Sequence, residues 1–121
     1  MNRFIITSKL WGAVLVIILA FMPIASSMAA LTATALTQIT HVENGWHGEG
    51  FAIHIIPGTG VTGCPVPEYE FGIAKSHPAY KDMLGLAMMA YASGSKVQLI
   101  VDTGVCVLGN RTNVISIRLY K

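Results

Sequence analysis

His41, His47 and His54 fall at short intervals in a Thr-, Ile- and Val-rich stretch, so paired strands could bring them together. Neutral imidazole is a common ligand for zinc and copper, which makes these three the first candidates for chemistry. Histidines on a hairpin without a partnering Cys motif more often sit scattered on the surface or half-buried, so no metal is expected. The acids are Glu43, Glu49, Glu68, Glu70, Asp82 and Asp102. Glu68 and Glu70 share one face of an alternating segment and could do acid–base work together. Nothing else converges on them, so they read as a solvated face opposite Tyr69 and Phe71. The chain has no GxSxG and no HExxH, and Gly58-Thr59-Gly60 lacks the lysine and following helix of a phosphate loop. The expectation is a protein that is not an enzyme, with no catalytic residues and no cofactor.

The two cysteines, Cys64 and Cys106, are read together with the N-terminus. Arg3 and Lys9 precede an apolar run, Leu10–Met22, and Pro23 then leads into Ala25-Ser26-Ser27-Met28-Ala29. That layout is a secretory signal peptide cut after Ala29, with Ala33-Thr34-Ala35 as a second possible site. The competing reading is an uncleaved anchor, although a spanning helix needs about 20 apolar residues and Pro23 interrupts the run. The chain is thus expected to be secreted or periplasmic, with residues 1–29 as signal peptide, 30–121 as one domain and no span left after cleavage. In an oxidising compartment an even pair of cysteines reads as a disulfide. It would close a loop of about 43 residues, worth about 4 kcal/mol in the chain-entropy account. A Cys-based metal site lacks its further ligands, and a bridged pair offers no thiolate nucleophile.

Removing the leader changes the charge. The whole chain has eight Lys and Arg against six Asp and Glu, for a net charge of +2. Arg3 and Lys9 belong to the leader, which leaves six against six. A nucleic-acid partner is excluded on this basis, because no basic stripe remains to neutralise phosphates. A domain of about 92 residues commonly leans on a disulfide or on oligomerisation for stability.

The elements that must position these residues alternate clearly. Leu36–Glu43 and Glu49–Ile56 read as a hairpin around Asn44-Gly45, with Phe51, Ile53 and Ile55 on one face. Pro57–Pro67 is irregular. Glu68–Lys75 places Tyr69, Phe71 and Ile73 inward. Pro78–Ser93 reads as one helix with Tyr80, Leu84, Ala87, Met88 and Tyr91 on its inner face, stopped by Gly94. Lys96–Asp102 directs Val97, Leu99 and Val101 inward, Thr103–Thr112 is turn-rich, and Asn113–Tyr120 directs Ile115, Ile117 and Leu119 inward. The fold class is mainly β with one helix. The order strand-strand-strand-helix-strand-strand matches a five-stranded OB-fold-like small barrel, with an α+β sandwich as the competitor.

In an OB barrel, ligands meet the loops joining strands one–two and four–five, here Asn44–Gly48 and Thr103–Thr112. The first carries Trp46 and His47, the second Asn110 and Arg111. An aromatic plate with amide and guanidinium donors suits a sugar ring, which has an apolar face and polar edges. The plainer alternative folds Trp46 over the barrel end and leaves Asn110 to make the turn.

The helix is apolar nearly all round. Once Leu84, Met88 and Tyr91 serve the core, Met83, Leu86, Met89 and Ala90 remain as a second face that a subunit contact would cover. The alternative is one broad core face with methionine as filler.

The segment Ala87-Met88-Met89-Ala90-Tyr91-Ala92-Ser93-Gly94-Ser95-Lys96-Val97-Gln98-Leu99 resembles the helix-to-strand junction of the B subunits of bacterial toxins related to subtilase cytotoxin and pertussis toxin. The chain also resembles short exported bacterial proteins with one cysteine before the helix and one after the next strand. The toxin resemblance implies an OB barrel, a homo-oligomer (a ring of five), a cell-surface glycan ligand and a separate catalytic partner chain. It transfers no sugar-contacting residue, because no counterpart of the family's sugar-binding serine is found near the first strand. The function expected is an exported, non-catalytic binding subunit recognising glycan. The alternative is a periplasmic or secreted protein-interaction module, such as an inhibitor or assembly partner.

Overall fold

The structure is a computed structural model and describes residues 30–45, 48–61 and 63–121. The expected signal peptide, Trp46 and His47 lie outside the described residues. Seven elements follow in order: β1 (Leu31–Ala33), β2 (Thr37–Asn44), β3 (Gly50–Ile55), β4 (Glu70–Ala74), α1 (Tyr80–Ser93), β5 (Lys96–Val107) and β6 (Arg111–Tyr120). The described residues are therefore mainly β with one helix, as the alternation predicts.

The strands form a single sheet whose pairings return on themselves. β2 pairs antiparallel with β3, β3 antiparallel with β4, and β4 parallel with β6. β6 then pairs antiparallel with β5, and β5 antiparallel with β2. This ring-like sheet leaves few free backbone edges, which suits strands so rich in Ile and Val. The short β1 pairs with β5 through Leu31–Asp102 to Ala33–Ile100. It is too short for an alternating pattern to announce it. Thr34, fully buried, completes the attachment: its Oγ1 accepts the Leu99 N–H at 3.0 Å and its N–H donates to the Leu99 carbonyl at 2.9 Å.

The core is built from Phe51, Ile53 and Ile55 of β3, Phe71 and Ile73 of β4, and Val97, Leu99 and Val101 of β5, all facing inward as alternation requires. Tyr69 is only partly buried against this cluster. In β6 one member of the expected inward set Ile115, Ile117 and Leu119 is corrected. Ile100 pairs with Ser116 but Val101 pairs with Val114, so Ile115 is an extra residue in a bulge. The bulge breaks the two-residue period and brings Val114 into the core in place of Ile115, while Ile117 is buried and Leu119 packs against the core as expected.

The helix is also rotated from its expected setting. Met83, Ala87 and Ala90 are its buried residues, with Tyr80, Leu84 and Leu86 packed beside them. Tyr80 meets Phe51 edge-on at 5.4 Å between ring centroids. Met88 and Tyr91, expected inward, are exposed. Met83 and Ala90, expected on an open face, are core residues, at 3% and 1% exposure. A helix apolar on most sides gives periodicity nothing to fix its phase with. Pro78 lies ahead of the first turn, and Gly94 stops the helix in the left-handed conformation (φ 66°), as expected.

Cys64 and Cys106 form the disulfide, with an S–S distance of 2.03 Å. It ties the irregular segment after β3 to the far end of β5. Next to it, the Cys64 N–H donates to Thr112 Oγ1 at 3.1 Å. Among the described residues no helix is long and apolar enough to cross a membrane.

Candidate functional site

The site is best built from the outer face of β2, β3 and β4. Register places His41 opposite His54 and His54 opposite Glu70, giving a row across three strands. The neighbouring row runs Glu43, Ala52, Gly72. Residues two apart on a strand share a face, so both rows lie on the same side of the sheet.

The second row carries almost no side-chain bulk in its middle, and the hairpin between β5 and β6 lies over it. A Cβ on Gly72 would come within 2.8 Å of Val107 Cγ2 and 3.4 Å of Arg111 Cβ. Glycine at this position is what allows the hairpin to seat. Ala52, though on the outer face, is buried for the same reason. The expected turn region Thr103–Thr112 is thereby corrected. β5 continues to Val107, and only Leu108–Asn110 turns. Leu108 and Asn110 both have left-handed backbones, with φ of 48° and 70°. Such a conformation is costly for leucine and tolerable for asparagine.

Arg111 is the first residue of β6 and reaches back across the face. Its NH1 donates to the Leu108 carbonyl at 2.7 Å, closing the turn. Its NH2 lies 2.7 Å from Glu43 Oε1 and 3.3 Å from Glu70 Oε2. The guanidinium, expected to be a free ligand donor, is instead held by the protein's own groups. Glu70, expected to be a solvated carboxylate, is half-buried in this network. Glu68 lies before β4 and accepts the Gly58 N–H at 3.2 Å. Neither rearrangement is visible in sequence, because Glu43, Glu70 and Arg111 meet only through the closed sheet.

Two imidazoles border the same carboxylate. His41 Nε2 is 3.5 Å from Glu43 Oε2, and His54 Nε2 is 3.6 Å from Glu43 Oε1. The rings of His41 and His54 are 4.7 Å apart. His54 Nδ1 faces Glu70 Oε1 at 3.9 Å. The Nε2 atom of His54 is buried without a hydrogen-bond partner. Of the three histidines singled out in the sequence, two are thus brought together.

Beside this cluster a cleft of about 270 Å³ opens between the two turns. Asn44, Gly45 and Glu49 line one side, Leu108, Gly109 and Arg111 the other, with Glu43 and Ala52 between them. The two loops nominated from the order of elements therefore converge. Asn110 is exposed at the turn, adjoining Gly109. Trp46 follows Gly45 directly in sequence.

Of the four side chains expected at an open helix face, only Met89 is exposed, at 59%; Met88 and Tyr91 join it on the surface.

Comparison with known protein families, curated proteins and solved structures finds no match to this chain.

Proposed function

We propose that the chain is an exported, non-catalytic binding subunit whose ligand enters the cleft between the β2–β3 and β5–β6 turns. The observation that carries this reading is the convergence of those two turns around the cleft of about 270 Å³. The strand pairings support an OB-type barrel, in which the loops joining the first two and last two core strands receive the ligand. The cleft mixes carboxylate, amide and backbone groups with the apolar surfaces of Ala52 and Leu108, and Trp46 belongs to its rim loop by sequence. A saccharide fits that chemistry. The disulfide, together with the leader-like composition of residues 1–29, supports export to the periplasm or beyond. Binding is assigned to Asn44, Trp46, His47 and Asn110, while Arg111 shapes the cleft wall. The ring of five and its catalytic partner chain rest on the toxin-like junction motif alone.

A glycan array probed with the mature, oxidised protein tests this reading. The wild type is expected to bind a defined saccharide class, and Trp46→Ala to lose at least tenfold in affinity. An array without binding, or one that Trp46→Ala leaves unchanged, overturns it. One observation favours the second reading, a protein-interaction module: Met88, Met89 and Tyr91 are all exposed on α1. Apolar side chains this large, grouped on one helix, suit a protein contact.

A further inference from the structure

We infer that His41, Glu43 and His54 form a binding site for a divalent first-row transition ion of the zinc class, with Glu70 and Arg111 orienting the ligands. The inference stands on the geometry of β2 and β3 and does not depend on the saccharide reading.

Each of the three residues offers one donor atom, and these atoms lie within 4.8 Å of one another. A tetrahedral zinc with bonds of about 2.0–2.1 Å holds its donors about 3.3 Å apart. The 3.5 Å contact between His41 Nε2 and Glu43 Oε2 is already near that spacing, and His54 Nε2 lies 3.6 Å from the other oxygen of the same carboxylate. Closing the set from a spread of 4.8 Å takes a movement of about 1.5 Å. His41, whose side chain is 56% exposed, is free to make it. The bulge between Ile39 and His41 puts His41 and Glu43 on the outer face with His54, opposite the inward Ile39. Bulges commonly re-aim a side chain in this way.

The surroundings supply what a ligand set requires beyond its donors. Ligating histidines usually direct their second nitrogen at a carboxylate, which fixes the tautomer and raises the basicity of the metal-facing nitrogen. His54 has that arrangement: Nδ1 faces Glu70, and Nε2 is buried, makes no hydrogen bond and faces Glu43. Arg111 does the same for the carboxylate. It holds Oε1 of Glu43 at 2.7 Å, leaving Oε2, the oxygen nearest His41, for the ion. The guanidinium would repel a cation if it stood alone, but Glu70 shares it at 3.3 Å. Two carboxylates against one guanidinium leave the neutral-imidazole site with one net negative charge, which a cation offsets. Two imidazoles and one carboxylate select zinc, copper or nickel over magnesium and calcium, which prefer all-oxygen shells. Three protein ligands leave a fourth position for water or for an oxygen of a bound molecule.

Titration of the untagged, oxidised protein with zinc chloride by calorimetry tests the site, with cobalt absorption reporting coordination number. The expected result is one zinc per chain and no response to magnesium. His41→Ala, an exposed change that leaves the fold intact by circular dichroism, should weaken zinc at least 30-fold. Glu70→Gln should weaken it about 10- to 100-fold, as loss of an outer-shell partner does. His77→Ala, on a histidine ahead of α1 that accepts the Ala79 N–H, should bind as the wild type does. Zinc binding that is absent, or equal in the wild type and His41→Ala, overturns the site. An unchanged affinity in Glu70→Gln overturns the orienting role of that residue.

Discussion

Replacing Arg111 by Gln separates a structural role for this residue from a ligand-binding one, and the size of its effect follows from three contacts. NH1 closes the Leu108–Asn110 turn, and NH2 alone bridges Glu43 and Glu70. Because both carboxylates touch one nitrogen, they stand within about 6 Å of each other, where two unit charges repel by about 3 kcal/mol at an effective dielectric of 20. All three side chains retain some solvent access, at 17% to 30% exposure, so screening reduces that figure to roughly 1–2 kcal/mol. Loss of the bond to the Leu108 carbonyl adds about 0.5–1.5 kcal/mol, since the turn it closes contains a left-handed leucine. A total of about 2–3 kcal/mol lowers the melting temperature by roughly 10–20 °C in a domain of this size. Thermal unfolding by circular dichroism reads it directly. Adding Glu70→Gln to Arg111→Gln should recover about half of the loss, because it removes the repulsion and leaves the turn unclamped. The single-variant deficit should also shrink in 1 M salt, where the screening length falls to about 3 Å. A loss below about 3 °C, or no recovery in the double variant, would show that the guanidinium is not the anchor of this face.

Two further outcomes are expected. Cys64→Ser/Cys106→Ser should cost about 2–4 kcal/mol in denaturant unfolding, with the wild type falling to the same midpoint under reducing conditions. Met83→Glu, which buries a charge in the core, should abolish folding, whereas Met89→Glu should leave a folded protein and lower its native mass in sedimentation; an unchanged oligomeric mass for Met89→Glu removes the exposed helix face as the subunit contact.

Sequence carried the fold a long way because β2, β5 and β6 bury mainly one face, while β3 and β4 keep their bulky residues on the inner one. Val97, Leu99 and Val101 alternate without interruption, so their inward direction could be read from the period alone. The reading failed where one residue was inserted or where no contrast existed. Ile115 sits in a bulge, and a bulge has no strong sequence mark of its own. The helix failed for the opposite reason: Met83, Met88, Met89 and Ala90 are all apolar, and only tertiary packing chooses among them. The length of β5 was hidden by Thr103-Gly104, a turn-like pair that the structure absorbs as an irregularity between Asp102 and Cys106.

The site was less legible, since its parts come from positions that sequence treats separately. Glu43 ends one alternating run, Glu70 begins another, and Arg111 belongs to a presumed turn. Only ring closure, through the parallel pairing of Phe71 with Thr112 and Gly72 with Asn113, carries Arg111 over the outer face of β3 and β4. Once there, it divides Glu43 between two tasks. One oxygen anchors the hairpin that walls the cleft; the other faces His41. The cleft and the imidazole cluster therefore share a residue, and a change at Glu43 must disturb both. Glu43→Gln keeps an oxygen for Arg111 but weakens the ion pair and the donor set together. His41→Ala touches the donor set alone, because His41 does not line the cleft. The pair of variants thus distinguishes a metal that is part of ligand recognition from one that is bound beside it: saccharide affinity falls with His41→Ala in the first case, and only with Glu43→Gln in the second.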